Sequence, residues 1–265
     1  MGHGKTISIF LTLLQLTPTA WAQRDPFAGT AEGRDHLARY SHARELLGAH
    51  FSDSSVRIVE RLDDSQELKG FIASRLHEGL PKKWKSKAQT LAQTLCNDSK
   101  RYALDPLFVL AMIENESRFN PIIVGSIGEI GLMQIRPTTA TWIAKKFKIP
   151  HAGEHALYNP AHNIRLGTAF LSHLRTQFDS HSRLYLSAYN MGASSVRRLV
   201  ESETWPRLYV NRVMKFYVGY YKDLEQNLML NASSRASQAV ETASRLAASV
   251  ARLAFRQPLA SATTP

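Results

Sequence analysis

Apolar side chains recur at three- and four-residue spacing along most of this chain, and the two-residue alternation of a strand is scarce. That periodicity predicts a mainly α protein. Asp105 before Pro106 places a capping side chain ahead of a proline at the first helical position. It opens a helix through Leu107, Leu110 and Ile113 that Asn120-Pro121 stops. Pro137 opens another helix, with Trp142, Ile143 and Phe147 apolar. Asn159-Pro160 repeats the cap-and-proline start ahead of Ile164, Leu166, Phe170, Leu171 and Leu174. A shorter helix over about Ser182–Asn190 breaks at Gly192, and Pro206 opens a long final helix through Tyr209, Val213, Phe216, Tyr217 and Tyr220. The stretch Ile122–Arg136 carries Gly125, Gly128 and Gly131, so it reads as a tight loop.

Four zones follow. Residues 1–22 read as a secretory signal: Lys5, an apolar run from Ile7 to Leu16, Pro18, and the small–x–small pattern Ala20-Trp21-Ala22. The run is too short for a permanent span, and no later stretch approaches the length of one. Residues 23–81 form a charged helical extension, with Leu37, Leu46, Leu47, Val56, Ile58, Val59, Leu62, Leu68, Phe71, Ile72 and Leu76 in loose helical spacing and Asp53 or Ser54 as a cap. No chemical motif appears there. Residues 82–230 carry the clearest punctuation and are long enough to bury a core. In residues 231–265, sixteen of the 35 are Ala or Ser. Val240, Leu246, Val250 and Leu253 recur there at helical spacing, with Arg235, Arg245, Arg252 and Arg256 between them. A loosely docked basic tail is the simpler reading, and an amphipathic helix meeting a membrane surface or a partner is the other.

Composition narrows the chemistry. The 265 residues hold 33 Lys+Arg against 22 Asp+Glu, a net charge of +11 that favours anionic partners. Cys96 is the lone cysteine, which excludes an intramolecular disulfide framework and any multi-cysteine metal site. It lies far from the cleavage point, so a lipoprotein anchor is not expected, and the chain reads as a soluble periplasmic protein. His151 and His155 are four apart, but the glutamate that a zincin needs directly after the first histidine is missing. No phosphate-binding glycine loop occurs either, so neither a metal nor a cofactor is expected. Lys82-Lys83-Trp84-Lys85 could touch nucleic acid, but export argues against it.

Glu116 sits at the end of the Asp105-capped helix, just before the glycine loop. A carboxylate there can be partly desolvated and act as an acid, although position alone also suits a surface glutamate, with Glu114 two residues away. The surrounding text decides. Glu116-Ser117-Arg118-Phe119-Asn120-Pro121 is followed by Gly131-Leu132-Met133-Gln134-Ile135, then Asn163-Ile164-Arg165-Leu166-Gly167, Ala188-Tyr189-Asn190-Met191-Gly192, Tyr209-Val210-Asn211-Arg212-Val213 and Tyr217. In that order these strings resemble the soluble-lytic-transglycosylase (SLT) domain over roughly residues 84–222.

The resemblance implies a lysozyme-like helical fold with a cleft for glycan strands. It implies cleavage of peptidoglycan between N-acetylmuramic acid and N-acetylglucosamine without water, leaving a 1,6-anhydro ring. Glu116 would be the catalytic acid and then base. Gln134 would line the cleft over Met133, Tyr189 and Asn190 would form its wall, and the Tyr217 hydroxyl would lie near Glu116. Ser117 would cap or brace the glutamate. Where many members have serine, alanine and methionine, this chain has Gly125, Glu129 and Arg136. Glu129 and Arg136 can pair across the loop; the alternative is that Glu129 enters the cleft as a second carboxylate. A lysozyme-like hydrolase and a non-catalytic glycan-binding module are the competing functions, with residues 23–81 and 231–265 available to an envelope partner.

Overall fold

The computed structural model describes residues 42–46, 65–204 and 207–254, with side chains to residue 249. The signal segment, the caps proposed at Asp53 and Ser54, and the Pro206 helix start lie outside the described residues. So do Leu37, Leu47, Val56, Ile58, Val59 and Leu62. The described elements are a short helix at residues 42–46 (α1), α2 (Gln66–Gly79), a 3-10 turn (Lys82–Lys87), α3 (Ala88–Arg101), α4 (Pro106–Ser117) and α5 (Pro137–Phe147). A second 3-10 turn (Glu154–Tyr158) precedes α6 (Pro160–Gln177), α7 (Ser182–Met191), α8 (Ala193–Glu201) and α9 (Leu208–Ala254). Among the described residues β structure is limited to isolated bridges, Val124 with Ile130 and Ile130 with Ile135. The mainly α class expected from the periodicity is therefore what the chain adopts.

The cap-and-proline signals mark real helix starts. Asp105 accepts the Leu107 N–H at 2.8 Å, and Asn159 accepts those of Ala161 and His162 at 3.0 and 3.2 Å. Gly192, at φ 84°, separates α7 from α8. Two helices were not singled out by the sequence reading. α3 is rich in Gln, Thr and Ala, and its buried positions Leu91, Ala92 and Leu95 are few. α8 buries little beyond Val196.

α4 is the centre of the core. Every residue from Pro106 to Ile113 is buried, so the helix has no solvent face over that length. It ends at Arg118 and Phe119, both left-handed, with φ 49° and 62°. α9 packs along it through one face at three- and four-residue spacing: Tyr209, Val213, Tyr217, Tyr220, Tyr221 and Leu224. The two helices run antiparallel. The Tyr209 hydroxyl meets Glu116 at the end of α4, while Tyr217 and Tyr221 donate to Asp105 at its start.

α1 is fastened to the same place. The fully buried His42 accepts the Asp105 N–H on Nδ1 at 2.8 Å and faces the Tyr185 hydroxyl through Nε2 at 3.2 Å. A ring that accepts on Nδ1 is neutral, in keeping with burial, which holds its pKa well below the usual histidine range, helped by the Arg175 charge. Arg175 also bonds Glu45 at 2.9 Å.

At the other end, α9 is 47 residues long, about 70 Å at the ordinary helical rise. Its side chains are exposed from Met229 to Ser249. The helix does not break at Asn231, where the composition shifts.

Candidate active site

Three elements converge on Glu116. α4 ends there, α9 brings Tyr209, and α7 brings Tyr189 above the loop that contains Gln134. The Glu116 carboxyl is largely enclosed, and its pKa is raised. Burial is the main cause, and the nearby Glu129 charge adds to it. The Tyr209 hydroxyl, the Asn115 amide and the Arg212 guanidinium act the other way. Tyr209 donates to Glu116 Oε1, and Asn115 approaches the same oxygen at 3.3 Å. Arg212 lies over the Tyr209 ring and reaches Asn115 Oδ1 at 3.4 Å. A carboxyl that is protonated more readily than usual, with an aligned hydroxyl to stabilise its ionised form, is equipped to give up a proton and take one back.

The loop between Pro121 and Arg136 is held from beneath by Asn163 of α6, which is 0% exposed. Its amide donates to the carbonyls of Ile130 and Leu157 at 2.8 and 3.0 Å, and its oxygen accepts the Met133 N–H at 2.8 Å. Gly131 has φ 82°, and a Cβ there would lie 2.5 Å from the Asn163 amide nitrogen, so both backbone and space demand glycine. This arrangement presents Gln134, itself at φ 46° and half-buried, with its amide donating to Ile123 and Gly131 carbonyls at 3.2 and 3.0 Å.

The structure revises several expected roles. Tyr217 does not approach Glu116. It is 0% exposed, and its hydroxyl donates to Asp105 at 2.8 Å. Because α9 runs antiparallel to α4, moving eight residues along it travels about 12 Å towards the opposite end of α4. Tyr209 takes the place expected of Tyr217. Met133 is also 0% exposed, so its side chain supports the loop rather than meeting a ligand, while its carbonyl accepts the Tyr189 hydroxyl at 2.8 Å. Ser117 is buried and donates to the Ile113 carbonyl at 3.0 Å, the brace beside Glu116 that was expected of it. Asn190 is exposed at the end of α7. Glu129 turns one oxygen to the Ile127 N–H at 3.2 Å and the other towards Arg136 at 3.7 Å, the cross-loop pairing the sequence suggested.

Tyr209, Arg212, Asn115 and Asn163 are the site residues that sequence reading did not assign. Tyr209, Arg212 and Asn163 lie inside quoted motif strings, so the signal was present without a role. His151 pairs with His162 at 3.0 Å in a stacked arrangement rather than with His155. Cys96 is half-buried against the core.

Residues 94–208 match the family model of the Transglycosylase SLT domain. Membrane-bound lytic murein transglycosylase C of Glaesserella parasuis is 40% identical over 114 residues, covering 40% of this chain and 31% of that protein. The soluble lytic murein transglycosylase of Salmonella typhimurium is 38% identical over 175 residues, covering 66% of this chain and 25% of that one. The chain thus spans 31% and 25% of the length of these two relatives. Among solved structures, the lytic transglycosylase Slt of Pseudomonas aeruginosa, as an inactive mutant, is 24% identical with a TM-score of 0.46, covering 74% of this chain and 36% of that one. The 70 kDa soluble lytic transglycosylase of Escherichia coli is 25% identical with a TM-score of 0.41, covering 58% and 29%. Among the described residues no helix is long and apolar enough to cross a membrane. Over residues 94–208 the chain is similar to the transglycosylase SLT domain.

Proposed function

We propose that this protein is an exported peptidoglycan lytic transglycosylase. It cuts the β-1,4 bond between N-acetylmuramic acid and N-acetylglucosamine without water and leaves a 1,6-anhydro-muramic end. Glu116 protonates the glycosidic oxygen. The carboxylate so formed, stabilised by the Tyr209 hydroxyl, then removes the proton from the muramic C6 hydroxyl as that oxygen closes on C1. The C6 hydroxyl belongs to the same sugar, so proximity favours it over bulk water. Gln134 and Tyr189 orient the sugar at the cleft, with Asn190 at its rim. Export through residues 1–22 and a periplasmic place of action belong to the same proposal.

Support comes from a largely buried carboxylate with a raised pKa, bonded to a buried tyrosine, whose carboxylate neighbour Glu129 has both oxygens turned to the loop. A hydrolase that inverts or retains in the ordinary way uses two carboxylates, one to activate water or attack carbon. One acid–base group suffices when the nucleophile is the substrate's own hydroxyl.

The test is mass spectrometry of muropeptides released from purified sacculi by the wild type and by Glu116→Gln. Products one water lighter than hydrolysis products, absent with the variant, are expected. Reducing-end products would make the protein a lysozyme-like hydrolase. Sacculus binding without release would make it a binding module.

A further inference from the structure

In the loop beside Glu116, a glycine and a carboxylate compete for one space. A Cβ at Gly125 would lie 2.5 Å from Glu129 Oε2 and 2.8 Å from Gln134 Oε1. The φ of Gly125 is not left-handed, so its backbone accepts any residue. Only the space excludes a side chain. The Gly125 N–H donates to the Glu129 carbonyl at 2.7 Å, which draws the two arms of the loop together at this point. The Glu129 carboxylate then fills the gap. It accepts the Ile127 N–H at 3.2 Å and faces Arg136 at 3.7 Å, and Gln134 Oε1 borders the same space.

We propose that Glu129 is a positioning residue for the reaction of Glu116. Lodged in the space Gly125 leaves open, it holds the loop so that Gln134 keeps its place in the cleft, and it keeps a negative charge near Glu116 without touching substrate. The inference deepens the transglycosylase reading and rests on it. Glu116 is faced by Tyr209 and Arg212 from α9, Tyr189 from α7, Asn115 from its own helix and Glu129 from the loop. Of these, Glu129 is the group whose charge favours the protonated acid.

The experiment uses the full chain as wild type, Gly125→Ala, Glu129→Ala, the double variant and Glu129→Gln. It reads kcat and KM on glycan strands across pH, together with the melting temperature. Gly125→Ala is expected to lower kcat roughly ten- to hundred-fold, the scale of a misplaced cleft group. The double variant is expected to recover part of that loss, because removing the carboxylate relieves the closer of the two contacts and leaves only the one with Gln134 Oε1. Glu129→Gln keeps the shape and removes the charge. The pKa of Glu116 then falls, and the basic limb of kcat/KM moves to lower pH.

Wild-type activity in Gly125→Ala would overturn the proposal, as would a double variant no faster than Gly125→Ala. A Glu129→Gln variant whose melting temperature moves while its pH limb stays put would reduce Glu129 to a structural role and overturn it equally. If the wild type releases nothing from sacculi, the transglycosylase reading falls on its own. The steric exchange is then judged by melting temperature, which must drop in Gly125→Ala and recover in part in the double variant.

Discussion

Replacing Tyr209 by phenylalanine removes one oxygen and leaves the ring in its place over α4. That oxygen donates to Glu116 and also lies 3.7 Å from the Met112 sulfur. A hydrogen bond to an ionised acceptor is worth about 1.5–3 kcal/mol. Tyr209 offers it to the carboxylate, the form of Glu116 that appears in the proposed reaction as the proton leaves for the glycosidic oxygen. Its loss therefore falls on the transition state and should lower kcat roughly ten- to hundred-fold, with little change in KM. The pH profile carries the sign. The hydroxyl holds the Glu116 pKa down against burial, so without it the acid stays protonated to higher pH and the basic limb of the rate profile moves up. Tyr217→Phe is the control, because its hydroxyl serves Asp105 instead. It should lower stability by about 1 kcal/mol, since Tyr221 still donates to Asp105, and leave the pH limb where it is. Muropeptide release followed by chromatography, with urea unfolding alongside, separates the two. A Tyr209→Phe enzyme with wild-type kcat and an unmoved limb would refute the assignment of Tyr209, and a moved limb in Tyr217→Phe would refute the antiparallel account of α9.

Asn163→Ala strips two hydrogen bonds from the underside of the loop and a third from Leu157, and leaves the Met133 N–H buried without its acceptor; a loss of about 3 kcal/mol or more of stability is expected in urea unfolding. Glu116→Gln should raise the melting temperature near neutral pH. The folded pKa of Glu116 is raised, so its contribution is complete below the unfolded pKa and is lost as pH rises through the folded one. The advantage of the glutamine variant should thus shrink on acidification and vanish below about pH 4, and a difference that is flat with pH would contradict the burial argument. A chain ending at Leu230 should melt and turn over like the full chain, since α9 is exposed from Met229 and the Arg235–Glu67 pair at 3.4 Å lies on the surface; loss of folding on that truncation would show that the outer part of α9 has a packing role.

Much of this architecture could be read along the chain because its signals are local. Asp105-Pro106, Asn159-Pro160, Pro137 and Gly192 act on their own backbone, and each marks a helix boundary in the structure. Glu116 stands out in the sequence through its motif, and the structure places it at the end of α4 beside Tyr209. The side chains around it were not, because they depend on how helices face one another. Tyr209 and Tyr217 lie on one face of α9, and nothing in their spacing says which end of α4 each will meet; the direction of packing decides it. Asn163 reads as one polar residue in an apolar helix until the loop is folded onto it. Met133 and Ser117 stand beside cleft residues in the sequence, yet their side chains point into the core. α3 and α8 bury too few large apolar residues to stand out from a charged background.

The joint beneath the catalytic loop is an amide. Asn163 carries no charge at any pH at which the protein folds, and its partners are backbone groups. Added salt screens exposed charges, with a Debye length of about 10 Å at 0.1 M, and so weakens a surface ion pair, but it leaves a buried neutral bond almost untouched. The upper rim of the same loop is tied by Glu129 and Arg136, whose guanidinium is half exposed. Salt therefore acts unequally on the two fastenings of this loop. The loop is anchored below by a fastening that brine does not loosen, and tuned above by one that it does.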